Sequence, residues 1–199
     1  MPTFQTRDPS IPEFWTERFE QNIMPWDRAG VPAELQRFVT TIAGPKTALI
    51  PGCGMAYEVR YLSEAGWDVT AIDFSAAAVT AAKAQLGEWA GRVMEADFFT
   101  FTPSKSLDLI YERAFLCALP RPMWPDIVAR WADLLPAGAL LVGYFYFDEA
   151  VQGPPFGAER RQLEQLLKPH FKQVDDQAVT DSVAVFAGKE RWQVWRRLV

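Results

Sequence analysis

Thr47-Ala48-Leu49-Ile50-Pro51-Gly52-Cys53-Gly54 is the stretch whose reading decides the fold. A short apolar run of strand length runs straight into a turn with two glycines. A turn that must bring backbone close to a ligand needs glycine, the residue that takes left-handed dihedrals freely. Outward from this point the chain alternates apolar runs with longer helical patterns, the signature of βαβ units. The pattern predicts strands at 47–50, 68–72, 92–95, 107–111 and 139–147, then a closing antiparallel pair around Val174 and at 192–198. Helices are predicted at 55–65, from Ser75 (as cap) to Leu86, and at 122–135 and 158–167. Little room is left for a helix between the third and fourth strands. Ahead of the first strand, helices at 12–22 and 31–42 flank a break at Pro25-Trp26-Asp27. The fold class expected is α/β: a mostly parallel sheet with a C-terminal antiparallel strand, helices on both faces and an N-terminal helical lid. Residues 1–199 read as a single domain, of which 1–46 is a helical extension covering the site.

Bulk properties exclude several functions. The 199 residues suffice for one domain with a substantial core. A net charge of −5 gives no footprint for a nucleic-acid backbone. The longest apolar run, 137–147, is about half the roughly 20 residues of a membrane helix. The start Met1-Pro2-Thr3 has neither a basic nor an apolar leader region, so no signal peptide is expected and the cytoplasm is the expected location. Two cysteines, Cys53 and Cys117, give no disulfide framework and no metal spacing, and no metal is expected. The single histidine, His170, removes His-based triads and reads as structural or surface. Aromatic residues make up 14% of the chain, enough to fill core and also line an apolar pocket.

The glycine turn gains meaning from Asp73, at the end of the second strand about twenty residues further on. A carboxylate there can accept both hydroxyls of a ribose; its alternative role is to cap the helix that starts after Ser75. A dinucleotide loop wants a third glycine where Tyr57 stands, which weakens a phosphate-cradling reading. S-adenosylmethionine carries no phosphate, and Gly52-x-Gly54-x-Ala56 suits it better. After the third strand, Asp97 and Phe98 stand where adenine would lie, one to accept from its amine and one to cover its face; the plainer reading is a loop acid beside core Phe residues. Cys53, with no base near it in sequence, reads as a small apolar filler of the loop.

Five stretches in order then resemble a known family: Phe14-Trp15 to Phe19 with Pro25-Trp26-Asp27; Leu49 to Gly54; Ala71-Ile72-Asp73-Phe74-Ser75; Asp108-Leu109-Ile110-Tyr111-Glu112-Arg113-Ala114; and Gly153-Pro154-Pro155-Phe156. Together they resemble the thiopurine S-methyltransferase-like branch of class I S-adenosylmethionine-dependent methyltransferases, which also holds bacterial and plant thiol and halide methyltransferases. Phe19 stands where mammalian members carry a second Trp, which keeps the aromatic face. The short N-terminus and compact region between strands three and four look more like bacterial members. The resemblance implies a Rossmann-like sheet with Trp15 and Phe19 over the cofactor; with the residues read above, the expected cofactor site is Trp15, Phe19, Pro51, Gly52, Cys53, Gly54, Asp73, Phe74, Asp97, Phe98, Glu112 and Arg113. It places Arg113 where the methionine side of the cofactor meets substrate, and Pro154 and Pro155 in a lid.

The chemistry implied is transfer of a methyl group to a small acceptor, a thiol or a related sulfur, selenium or halide nucleophile, with S-adenosylhomocysteine as product. An anion attacking a sulfonium loses charge on the way to the transition state, so an apolar enclosure favours the reaction. Arg113 is the expected catalytic residue, holding an anionic acceptor or keeping a thiol near its thiolate form; otherwise it pairs with Glu112 or another acid and props the loop. Trp26, Tyr144 and Tyr146 are substrate-pocket candidates, with core packing as the alternative. The rival functions are a cofactor-binding protein without transfer activity and a nicotinamide-dependent oxidoreductase. The expected partner is a small molecule, neither nucleic acid nor membrane, and the chain is expected to act as a monomer.

Overall fold

The structure, a computed structural model, describes residues 4–199. Met1-Pro2-Thr3, on which the reading of the chain start rests, lie outside the described residues. Two helices come first, α1 (Pro12–Glu20) and α2 (Ala33–Thr41). The alternating part runs β1 (Thr47–Pro51), α3 (Tyr57–Glu64), β2 (Asp68–Asp73), α4 (Ala76–Leu86), β3 (Val93–Glu95), β4 (Leu109–Arg113), α5 (Trp124–Leu134), β5 (Leu140–Tyr146) and α6 (Arg160–Leu167). It closes with β6 (Phe171–Ala178) and β7 (Glu190–Arg197). The sheet order is β3-β2-β1-β4-β5-β7-β6. All neighbours from β3 to β5 are parallel, whereas β7 runs antiparallel to both β5 and β6. The sheet therefore contains one reversed strand, as the sequence pattern predicts.

Pleating sorts the core into two layers, because successive side chains leave a strand on opposite faces. Leu49, Ile110, Leu141, Phe145 and Trp195 face α5 and α6, with Trp131 wholly buried among them. Ala48, Ile50, Leu109, Tyr111, Val142 and Tyr144 face the other way, onto Leu35 of α2, Val59 and Leu62 of α3, and Val79 and Ala82 of α4. Ladders with both faces covered are what a parallel sheet requires.

Two departures from the sequence reading bear on function. Helix α3 starts at Tyr57, not at 55, because Ala56 adopts a left-handed conformation (φ 55°) as its N-cap. Strand β4 starts two residues later than predicted. Asp108 is spent on closing the ladder edge, its N–H donating to the Thr47 carbonyl at 2.9 Å while its carboxylate accepts from Thr47 N at 2.8 Å. Glu112 and Arg113 thus lie on the strand instead of after it, and the pleat sends them to opposite faces.

Candidate active site

The C-terminal ends of β1, β2 and β4 and the loop after β3 open into one cavity of about 840 Å³. Such a crevice, at the switch in strand order beside β1, is where open α/β sheets bind ligands. Helix α1 and the segment behind it cover the cavity, with Pro154 and Pro155 after β5 and the turn Ala184–Phe186 between β6 and β7. Thr16 Oγ1 lies 2.9 Å from Ser75 Oγ, which pins α1 against the start of α4 beside the cavity. Arg28 pairs with Asp181 at 2.8 Å, joining the N-terminal cover to the β6–β7 loop.

The glycine turn is built as its sequence requires. Gly52 and Gly54 have φ of 58° and 52°. A Cβ at Gly52 would stand 2.6 Å from Phe115 Cδ2, so both space and conformation demand glycine there. The Cys53 N–H donates to the Ile72 carbonyl (3.0 Å), and the Gly54 N–H donates to Asp73 Oδ2 (3.0 Å). Asp73 Oδ1 accepts from Ser75 N (3.0 Å), whereas the helix cap is Ser75 itself, whose Oγ accepts from Ala78 N (3.3 Å). Asp73 therefore braces the turn against β2 and leaves the capping of α4 to Ser75.

Asp73 is only 7% exposed yet lines the cavity. Burial pushes its pKa up to about 6, and the N–H groups of Ser75, Gly54 and Phe74 hold it back from rising further. An ionised carboxylate offers about four acceptor sites, so it retains capacity for a diol. A buried acceptor beside a backbone cradle fits a ribose. Beyond it, Asp97 accepts from Phe99 N (2.9 Å), and Phe98 packs edge-on against Phe115 with ring centroids 5.0 Å apart.

Over the opening, Trp15 donates its indole N–H to the Pro9 carbonyl (2.8 Å) and meets Trp26 edge-on at 5.4 Å. The ring of Phe19 comes within 3.7 Å of where a Gly54 Cβ would be. Tyr57 donates to Asp27 Oδ2 (3.1 Å). The Cys53 and Cys117 thiols also line the cavity, and burial raises both well above the ordinary thiol range, so they remain protonated.

The cavity brings together Trp15, Phe19, Trp26, Gly52, Cys53, Gly54, Asp73, Phe74, Asp97, Phe98, Arg113, Pro154 and Pro155. Four candidates stand outside its lining. Pro51 ends β1 behind the turn. Glu112 points away from it, accepting from Phe115 N (3.1 Å) and Leu116 N (3.2 Å), and burial pushes its pKa up to about 8. Tyr144 is packed beneath α2, where its hydroxyl accepts from Glu34 N (3.1 Å). Tyr146 packs edge-on against Phe186 and donates to Asp148 (2.8 Å). His170 lies outside the lining too, before β6.

The idea that Arg113 pairs with Glu112 fails on the pleat: the two sit on opposite faces of β4. Among the described residues no carboxylate lies within 4.0 Å of the Arg113 guanidinium, and its buried Nε has no hydrogen-bond partner. The walls also include Glu58, Tyr111, Phe115 and Phe186, which sequence reasoning missed. Glu58 looks in sequence like an ordinary acid in a first helical turn. The other three look like core aromatics.

The thiopurine S-methyltransferase family model matches residues 11–198. The chain belongs to the thiopurine S-methyltransferase family. It is an S-adenosylmethionine-dependent methyltransferase. Among members, thiocyanate methyltransferase 1 of Arabidopsis thaliana is 29% identical over 192 residues, covering 92% of this chain and 84% of that one. A thiopurine S-methyltransferase of Vibrio vulnificus is 31% identical over 179 residues, covering 77% and 80%. The family fold extends to solved structures of low identity. The 1,6-didemethyltoxoflavin-N1-methyltransferase of Burkholderia thailandensis superposes with a TM-score of 0.73 at 16% identity, covering 93% of this chain and 86% of that one. A TehB-like methyltransferase from Corynebacterium glutamicum gives 0.67 at 17%, covering 92% and 98%. Among the described residues no helix is long and apolar enough to cross a membrane.

Proposed function

We propose that this methyltransferase acts on a small thiol or a related sulfur, selenium or halide nucleophile, with the nucleoside end of the cofactor at Asp73 and the acceptor beside Arg113. Arg113 carries the reading. It is a cation on the cavity wall with no carboxylate within 4.0 Å among the described residues, so an anion from outside can take its N–H groups. Sheet order supports the orientation: Asp73 and Asp97 mark the β2–β3 side, and Arg113, Pro154 and Phe186 mark the β4–β5 side and the loop before β7.

When bound, S-adenosylmethionine supplies a methyl group on a sulfonium, open to in-line displacement. The chain's own residues have three tasks. Asp73 and the Gly52–Gly54 turn fix the nucleoside, while Trp15, Phe19 and Trp26 exclude water. Arg113 holds the acceptor's sulfur or halide as an anion, where its fixed fork of donors outdoes a point charge. Two reactants held in line gain most of what such a transfer needs. Relatives named as thiocyanate, thiol and thiopurine methyltransferases support a sulfur acceptor. The acidic chain supports a free small molecule over nucleic acid.

The test is incubation of the purified protein with methyl-labelled S-adenosylmethionine and a panel of small thiols, iodide, and selenium and tellurium oxyanions. Labelled product from at least one thiol is expected. Saturable binding of S-adenosylhomocysteine with no product across the panel would refute the acceptor class.

A further inference from the structure

Glu58 has no task in the site as assigned so far. It sits in the first turn of α3, the residue is 6% exposed, and it lines the cavity a few residues after the glycine turn. No cation lies within 4.0 Å of it among the described residues. Among charged groups Arg113 acts on it most strongly, and Arg113 too has no carboxylate within 4.0 Å among the described residues. Tyr111, two positions earlier on the same face of β4, has a buried hydroxyl with no hydrogen-bond partner. One wall of the cavity thus holds an acid and a base more than 4.0 Å apart, with two unmet donors, the Tyr111 hydroxyl and the base's own Nε.

Buried charges and buried donors are normally paired, so such a wall is complementary to a ligand that carries the missing charges. The ligand must present a cation to Glu58 and an anion to Arg113, held a short distance apart. A free thiol or halide brings only the anion. The amino-acid end of S-adenosylmethionine and of its product carries an ammonium and a carboxylate on one carbon, which is the required pair. We infer that Glu58 anchors the ammonium of the cofactor's amino-acid end, with the carboxylate of that end turned toward Arg113. This rests on the placement of the nucleoside at Asp73 proposed above. Asp73 fixes one end of the cofactor, Glu58 the other, and the sulfonium lies between two fixed points. A guanidinium has five N–H groups, so Arg113 can serve the carboxylate on one edge and the acceptor on another.

The experiment is a binding measurement that needs no turnover. Affinities of S-adenosylhomocysteine and of methylthioadenosine, which lacks the amino-acid end, are measured by calorimetry for wild type and Glu58→Gln. The substitution should weaken S-adenosylhomocysteine on the order of 10- to 100-fold, the scale of a hydrogen bond to a charge. Methylthioadenosine should change by less than about twofold. Equal weakening of both ligands, or of neither, overturns the assignment. An unchanged affinity combined with a turnover loss confined to thiols of high pKa would assign Glu58 to proton removal from the acceptor instead. If Glu58→Gln does not fold, wild type alone decides: an S-adenosylhomocysteine analogue with hydrogen in place of the amino group should bind on the order of tenfold more weakly or worse, and equal binding refutes the inference. Failure of wild type to bind either nucleoside would instead overturn the placement at Asp73, and the inference with it.

Discussion

Asp73→Asn separates ligand binding from stability, because the structure gives the carboxylate opposing roles. Burial, partly offset by three backbone N–H groups, raises its pKa from 3.8 to about 6, so at neutral pH the ionised group carries a net cost of about 3 kcal/mol. The amide removes that cost. It also accepts through one oxygen only, so either Gly54 N–H or Ser75 N–H loses its acceptor, at about 1–3 kcal/mol. The two effects nearly cancel in folding. Binding has no such compensation. Two ribose hydroxyls lose an ionised acceptor, and S-adenosylhomocysteine affinity should fall by about 1.5–3 kcal/mol, on the order of 10- to 150-fold. Calorimetry gives the affinity, and urea unfolding gives the stability. The pH dependence is a second check. The native state binds the Asp73 proton more tightly than the unfolded state, so this group's contribution to stability falls as pH rises from about 4 to about 6 and is level above that. Affinity runs the other way: it requires the ionised form, and should drop about tenfold per pH unit below about 6 in wild type but not in the variant. A folded variant that binds S-adenosylhomocysteine within about twofold of wild type would refute the ribose assignment.

Arg113→Lys keeps the charge but loses the fork, and should lower kcat/KM for a thiol acceptor by about tenfold or more in steady-state assays; wild-type kinetics would reduce its role to that of a point charge. Glu112 has a pKa raised to about 8, so its contribution to stability falls as pH rises from about 4.5 to about 8, by roughly 1.4 kcal/mol per unit. Urea unfolding at two pH values in this window should give a stability difference, wild type minus Glu112→Gln, that falls by that amount per unit; a pH-independent difference would contradict it. Gly52→Ala imposes a left-handed alanine and crowds Phe115, and should lower stability by about 1–3 kcal/mol; an unchanged thermal midpoint would contradict the geometry of the turn.

The fold was legible because its signals are local. The apolar run ending in Pro51-Gly52, the Ser75 cap and the short link between β3 and β4 each report on a few neighbouring residues, and the structure keeps all three. The glycine turn was legible for the same reason: a glycine forced by φ, and by Phe115 lying 2.6 Å from where a Cβ would stand, leaves its mark in the sequence. What stayed hidden is whatever depends on where a strand starts. Tyr144 and Tyr146 looked like pocket residues because an aromatic on a strand has two possible faces. Only the register of β5 against β7 and the covering helix α2 show that Tyr144 faces the protein interior. The role proposed for Glu58 was not legible because it depends on Arg113, more than fifty positions away in the chain.

Strand β4 is where these threads meet. A start at 107 would have ended the strand at Tyr111 and left Glu112 and Arg113 in a loop, free to pair with each other. The ladder starts instead at Leu109, and both residues are held on the pleat. One carboxylate is then buried against Phe115 N and Leu116 N, where it orders the turn that brings Phe115 under Gly52. The guanidinium is directed to the cavity without its neighbouring acid. Had the two paired, the cation would already be neutralised and would do little for an anionic acceptor or for a cofactor carboxylate. The two-residue shift in β4 thus frees Arg113 from its own neighbour and leaves it available to the ligands of the cavity.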